Sequence, residues 1–161
     1  MTALRTARAD ESRLLAELQE RASFAALAHI FPPERYPYPR NAVLERWTDV
    51  LAAADTEVTV AEVDGTPVGV ASVRPDWLDG LYVVPEHWGT GAAVVLRDWG
   101  LDTVHSLGSK RCHLWVLEEN TRARRFYERR GWRENGTTRV VPFPPNPLDV
   151  GYTLDFYTGR P

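Results

Sequence analysis

Gly89 and Gly91 stand two residues apart in the stretch LYVVPEHWGTGAAVVL, residues 81–96. A β-branched and aromatic run precedes them and an apolar-periodic segment follows, so the stretch reads strand, tight turn, helix. Glycine has no β-carbon, which lets an anion approach the main chain closely. The unpaired N–H groups of Thr90 to Val94, with the positive end of the helix dipole, point at that anion. The chemistry this favours is phosphate binding. A nucleotide-triphosphate loop requires Gly-Lys-Ser/Thr after a four-residue gap, and no such tripeptide occurs. A dinucleotide turn requires Gly or Ala three residues after the second glycine, where this chain has Val94.

A third pattern, the acyl-CoA pyrophosphate loop Arg/Gln-x-x-Gly-x-Gly/Ala, is met by Trp88, Gly89, Thr90, Gly91, Ala92 and Ala93. It has one departure, Trp88 in the Arg/Gln position. A second segment, LWVLEENTRARRFYERRGW from Leu114, reads as a strand, an Asn, then a helix that carries Phe-Tyr and closes at Gly-Trp. In these two segments, in this order and spacing, the chain resembles the GNAT superfamily of N-acetyltransferases. The resemblance covers roughly residues 58–132.

The resemblance implies acetyl-CoA as cofactor and direct acetyl transfer, through a tetrahedral intermediate, to a primary amine of a small molecule. Such a reaction needs a neutral amine, a polarised carbonyl and a proton for the leaving thiolate. Main-chain groups of Leu81 and Val83 are expected to pair with pantetheine as an added strand would. Residues Trp88 to Ala93 are expected to hold the pyrophosphate. Asn120 matches the asparagine that bonds pantetheine, and reads equally as an N-cap for the next helix. Tyr127 matches the tyrosine that protonates the departing sulfur. In the basic cluster Arg122, Arg124, Arg125, Arg129 and Arg130, Arg125 is the expected phosphate contact. Asp79 and Asp76 are the candidate general bases, with a water chain as the alternative. A catalytically silent acyl-CoA-binding module and an acetyltransferase of protein or peptide amines stay open as other readings.

Two segments outside the resemblance bear on the acceptor: IFPPERYPYPRN near the N-terminus and PFPPNP near the C-terminus. Prolines hold aromatic rings in place at low entropic cost. Glu34, Asp76, Asp79 and Asp149 lie in or beside these loops and the strand edge, so an acidic pocket for a small cationic amine is expected.

The elements that must position these groups follow from periodicity. Helices are expected over residues 10–29, capped by Asp10 or Ser12, and over 42–53, 91–107 and 121–130. Strands are expected over 57–63 and 67–73, joined at Asp64-Gly65, then over 81–84, 111–117, 137–141 and 152–157. Residues 74–80 read as a polar loop or the start of a strand. This order gives an α+β fold in one domain spanning 1–161. The resemblance implies a mixed, mostly antiparallel sheet splayed at the cofactor strand, with helices on both faces.

Composition narrows the function classes further. The 161 residues are 43% hydrophobic with a net charge of −3, which argues against a nucleic-acid partner. Residues 1–80 hold 8 Arg against 13 acidic side chains, while residues 81–161 hold 11 Lys and Arg against 9, so the basic excess lies with the glycine loop. The single cysteine, Cys112, sits in an apolar strand and reads as a buried, inert thiol. His29, His87, His105 and His113 show no metal-ligand spacing, and no metal is expected. No stretch has the length of a membrane span or signal peptide, so the expectation is a cytoplasmic protein without a membrane partner. A homodimer is left open.

Overall fold

The structure, a computed structural model, describes residues 1–156. Seven strands form one sheet in the order β1-β2-β3-β4-β5-β7-β6: β1 Thr2–Thr6, β2 Glu57–Val63, β3 Thr66–Arg74, β4 Trp77–Val83, β5 Arg111–Leu117, β6 Arg133–Val140 and β7 Leu148–Asp155. Every neighbouring pair is antiparallel except β4 and β5. The expected mixed, mostly antiparallel sheet is therefore present. Four helices accompany it: α1 Ser12–Leu27, α2 Arg40–Ala52, α3 Ala92–Ser106 and α4 Thr121–Glu128.

Adjacent residues of one strand put helices on opposite faces. The Tyr82 ring meets Trp47 of α2 edge-on, with centroids 6.3 Å apart. A β-carbon on Gly69, by contrast, would lie 3.3 Å from Val83 and 3.0 Å from Leu96 of α3. Since consecutive strand residues point to opposite faces, α2 and α3 cover the two sides of β4. Trp47, Leu96 and Val70 are sealed from solvent in these layers.

The structure differs from the sequence expectation at three places. First, residues 2–6, for which no element is expected, form edge strand β1. Its alternation is too weak to read alone, but Arg5 anchors it by bonding Glu62 across the β1–β2 pair and Glu11 at the start of α1. Neither Asp10 nor Ser12 caps α1; Glu11 holds the N-cap position and spends its carboxylate on Arg5 and the Arg8 N–H. Second, β4 begins at Trp77, four residues before the expected start at Leu81. A two-residue turn at Pro75 and Asp76 makes this possible, because Asp76 takes a left-handed φ of 68° that aspartate tolerates. Third, the last two strands each begin four residues earlier than expected, β6 at Arg133 and β7 at Leu148, and the expected end of the last one at Tyr157 lies outside the described residues.

Candidate active site

The one parallel contact of the sheet opens the site. Strands β4 and β5 pair only at Trp77 and His113, where the His113 N–H donates to the Asp76 carbonyl over 2.8 Å. Beyond that point they diverge. The Val84 N–H donates to Val68, and alternation along the strand gives the main chain of Tyr82 to β3 as well. The main-chain groups of Leu81 and Val83 consequently face the opening. One of them is already engaged, since the Trp88 indole N–H donates to the Val83 carbonyl over 2.8 Å. The opening widens into a cavity of about 1180 Å³ lined by Leu81, Leu114, Asn120 and Tyr127 together with both proline-rich loops.

At the end of β4 a single 3₁₀ turn, Pro85–His87, leads into the glycine loop. Gly89 and Gly91 have φ of 75° and 91°, a left-handed conformation that favours glycine, and a β-carbon on either would meet nothing within 4 Å. The space over the loop is open. The Thr90 hydroxyl donates to the His87 carbonyl over 2.7 Å and fixes the turn. Val95 is the first residue of α3 to bond a helical carbonyl, that of Gly91, so the N–H groups of Ala92, Ala93 and Val94 have no such partner. These features fit a bound anion.

Helix α4 carries the second group of residues. Asn120 is its N-cap and accepts from the Ala123 N–H over 3.2 Å, while its side chain also lines the cavity. The Tyr127 side chain is 8% exposed, lines the same cavity, and its hydroxyl bonds no other side chain among the described residues. Burial raises its pKa above the ordinary phenol value, with the neighbouring Tyr82 and Cys112 adding to the effect and Arg97 opposing it. The same environment pushes the Cys112 thiol up to about 12, chiefly by burial.

The arginines of α4 divide by task. Arg124 bonds the Glu118 carbonyl, the Tyr152 hydroxyl and Glu134, and Arg130 folds over the Phe126 ring at 4.0 Å. Arg125 is exposed and has no side-chain partner among the described residues. Arg122 instead reaches the glycine loop, its guanidinium carbon 3.5 Å from the centroid of the Trp88 ring. The sequence names Arg122 only as one of a cluster; what singles it out is a ring 34 positions earlier, which no local signal reports.

The acceptor side departs from expectation in its charge. The two proline-rich loops do line the cavity, through Phe31, Tyr36, Tyr38 and Phe143. Of the four acidic residues expected there, Glu34 and Asp76 do not border the cavity, and Asp76 is held in the β3–β4 turn. Asp79 and Asp149 do border it, but Arg74 lies 3.4 Å from Asp79, and Arg139 bonds Asp149 over 2.9 Å. Arg35 and Arg46 complete the charged lining.

A sheet opened at a parallel pair has a glycine turn with unpaired N–H groups at one end and a buried phenol within. Comparison with known proteins gives the class. Residues 15–132 match the model of the "Acetyltransferase (GNAT) family". An uncharacterized N-acetyltransferase of Mycobacterium bovis is 36% identical over 102 residues, 60% of this chain. That match spans 65% of the relative's own length. A GCN5-related N-acetyltransferase from Rhodopseudomonas palustris superposes with a TM-score of 0.77 at 20% identity, over 97% of this chain and 96% of that one. PaiA N-acetyltransferase from Thermoplasma acidophilum, solved in complex with coenzyme A, gives 0.71 at 17% identity over 97% and 99%. The chain belongs to the GNAT family of acetyltransferases.

Proposed function

We propose that this chain is an acetyl-CoA-dependent N-acetyltransferase, acting as one domain, whose acceptor is a primary amine of a small molecule. The observation that carries this reading is the meeting, in one cavity, of the opened β4 edge, the N-cap Asn120 and the unpartnered Tyr127 hydroxyl. The coenzyme A bound by the structurally similar Thermoplasma protein supports the cofactor.

Acetyl-CoA supplies an activated acetyl thioester, and the amine displaces CoA as the new C–N bond forms and the C–S bond breaks. The Leu81 N–H, Leu81 carbonyl and Val83 N–H are assigned to the pantetheine and its carbonyl, because the Val83 carbonyl already serves Trp88. Gly89, Thr90, Gly91 and the free N–H groups at the start of α3 receive the pyrophosphate. Arg122 supplies the positive charge that an arginine at position 88 would have brought, and the Trp88 ring holds it at the loop. Arg125 is not assigned a contact.

Tyr127 gives its proton to the departing sulfur. Its raised pKa keeps it protonated throughout the neutral range. Asp79, on the cavity wall, receives the proton that the amine loses, and proton return from Asp79 through solvent restores Tyr127.

Thermal melting tests the cofactor assignment. Acetyl-CoA at 100 times its Kd should stabilise the fold by about 2.7 kcal/mol, roughly 5–10 °C. Thr90→Glu places a carboxylate among the free N–H groups at the start of α3, at a position of ordinary backbone conformation, and should abolish that shift, while loss of the hydroxyl bond to His87 lowers the melting temperature of the free protein by only about 2–4 °C. An equal shift in Thr90→Glu, or none in the wild type with millimolar acetyl-CoA, would refute the assignment.

A further inference from the structure

The cavity contains a cation that no carboxylate neutralises. Its charged lining comprises Arg35, Arg46, Arg74, Arg139, Asp79 and Asp149. Asp79 has Arg74 beside it at 3.4 Å and Asp149 has Arg139 at 2.9 Å, which leaves Arg35 and Arg46. Arg35 is an exposed side chain lying 5.7 Å from the centroid of its neighbour Tyr36. Arg46 differs in being half-buried on α2, with no acidic side chain within 4 Å among the described residues.

The surroundings of Arg46 are aromatic rings and hydroxyls, none of which carries a neutralising charge. Its guanidinium carbon lies 5.7 Å from the Trp47 ring centroid, and the Trp47 indole N–H has already taken the Gln19 side-chain oxygen over 2.8 Å. Tyr82 acts on it most strongly, by charge and by a side-chain hydrogen bond, and Asp79 and Tyr38 act on it less, so its surroundings offer hydroxyls and a more distant carboxylate but no carboxylate within ion-pair distance among the described residues. Tyr38 lines the same cavity, and its hydroxyl is sealed from solvent with no hydrogen-bond partner. A buried hydroxyl without a partner is costly, and a buried guanidinium without a counter-charge more so. Both are satisfied by one anionic oxygen pair, to which the guanidinium donates two parallel bonds and the phenol a third. Around them Phe31, Tyr36 and Phe143 offer apolar surface for the rest of the ligand.

We propose that the acceptor is a small primary amine that also carries a carboxylate, with Arg46 as the residue that receives the carboxylate and Tyr38 as its second donor. This rests on the N-acetyltransferase reading above and fixes the acceptor's charge. It reverses the cationic acceptor expected from the sequence, because Asp79 and Asp149 each have an arginine beside them.

A series of matched acceptors tests it: apolar and aromatic α-, β- and γ-amino acids, each beside its carboxamide and its decarboxylated amine, assayed by acetyl-CoA-dependent product formation. The expected result is a preference in kcat/KM of at least tenfold for one or more carboxylate-bearing acceptors over both partners. Arg46→Gln should raise KM for that acceptor tenfold or more with little change in kcat, Arg46→Lys should recover part of the loss, and Tyr38→Phe should give a smaller rise. The acetyl-CoA melting shift should be the same in all three variants, which separates loss of the acceptor site from loss of the fold or cofactor. A preference for decarboxylated amines or carboxamides, use of none of the series, or an unchanged KM in Arg46→Gln would overturn the inference. With the acetyl-CoA shift intact, such a result leaves the transferase reading standing; without the shift, both fall.

Discussion

The β4 edge that borders the cavity, with the glycine loop and the start of α3 beyond it, presents main-chain groups, whereas α2 and the two proline-rich loops line the cavity with side chains. On the proposed function the first holds the cofactor and the second the acceptor. Main-chain donors depend on strand register and on two left-handed glycines, so the cofactor wall tolerates Trp88 where its family pattern prefers arginine. Side-chain walls change character with a single residue. Four arginines against two aspartates give the cavity lining a positive balance where an acidic one was expected.

The largest effect expected is at the junction of the two walls. Tyr127→Phe removes a proton donor and almost no apolar surface, so turnover should fall roughly 10- to 1000-fold while the acetyl-CoA melting shift persists. Equal turnover over the whole pH range would make Tyr127 a packing residue. Because burial raises its pKa, the wild-type kcat profile should show no alkaline decline from this group below about pH 10. A decline from Tyr127 ionisation near pH 8, absent in the phenylalanine variant, would contradict the burial argument.

A smaller change is expected for Arg122→Ala on the cofactor wall, about a tenfold rise in the Kd of CoA, or 1.4 kcal/mol, measured by calorimetry. The loss should shrink at high salt, since the contact is exposed. Arg125→Ala, with no partner in the structure, serves as the control and should bind like the wild type. Equal losses in both variants would mean that the cluster acts through general charge and that the stacking on Trp88 has no special part.

A last effect concerns stability away from the cavity and leaves catalysis untouched. Glu11 joins the start of α1 to β1, and its carboxyl is held below the ordinary range chiefly by its hydrogen bond to Arg5, with Arg8 adding to the effect. A depressed folded pKa contributes stability above the unfolded value of about 4.3, and that stability is lost as pH falls through the folded pKa. Glu11→Gln should cost about 1–3 kcal/mol at neutral pH and less below about pH 4. Denaturant titrations at pH 7 and pH 3.5 measure the difference; an equal cost at both would exclude the ionised carboxylate as the source.

How legible each wall is in the sequence follows from the same division. The glycine loop, the Asp64-Gly65 hairpin and the Asn120 cap are local, since each depends on residues within a few positions, and the structure has all three. Strand β1 has no local signal, because it depends on pairing with β2, 53 or more positions away, and residues 74–80 read as loop or strand start until a left-handed aspartate decides for the strand. The aromatic residues of the acceptor wall are legible in the sequence, whereas the acidic charge expected of it is outweighed by arginines from other elements. Which arginine comes to lie against Asp79, Asp149 or the Trp88 ring is a property of how strands and helices are brought together, and sequence proximity does not encode it.

The central claim is that this cavity transfers an acetyl group from acetyl-CoA to an amine. The direct measurement is release of CoA thiol from acetyl-CoA over a panel of primary amines, with the products weighed by mass spectrometry. The account predicts thiol release above the amine-free rate, matched mole for mole by an amine 42 mass units heavier, roughly the mass of an added acetyl group, with Tyr127→Phe slowed as above. Acetyl-CoA that binds and stabilises the protein while no amine of any charge class is acetylated would contradict it, and would leave a CoA-binding module in place of an enzyme.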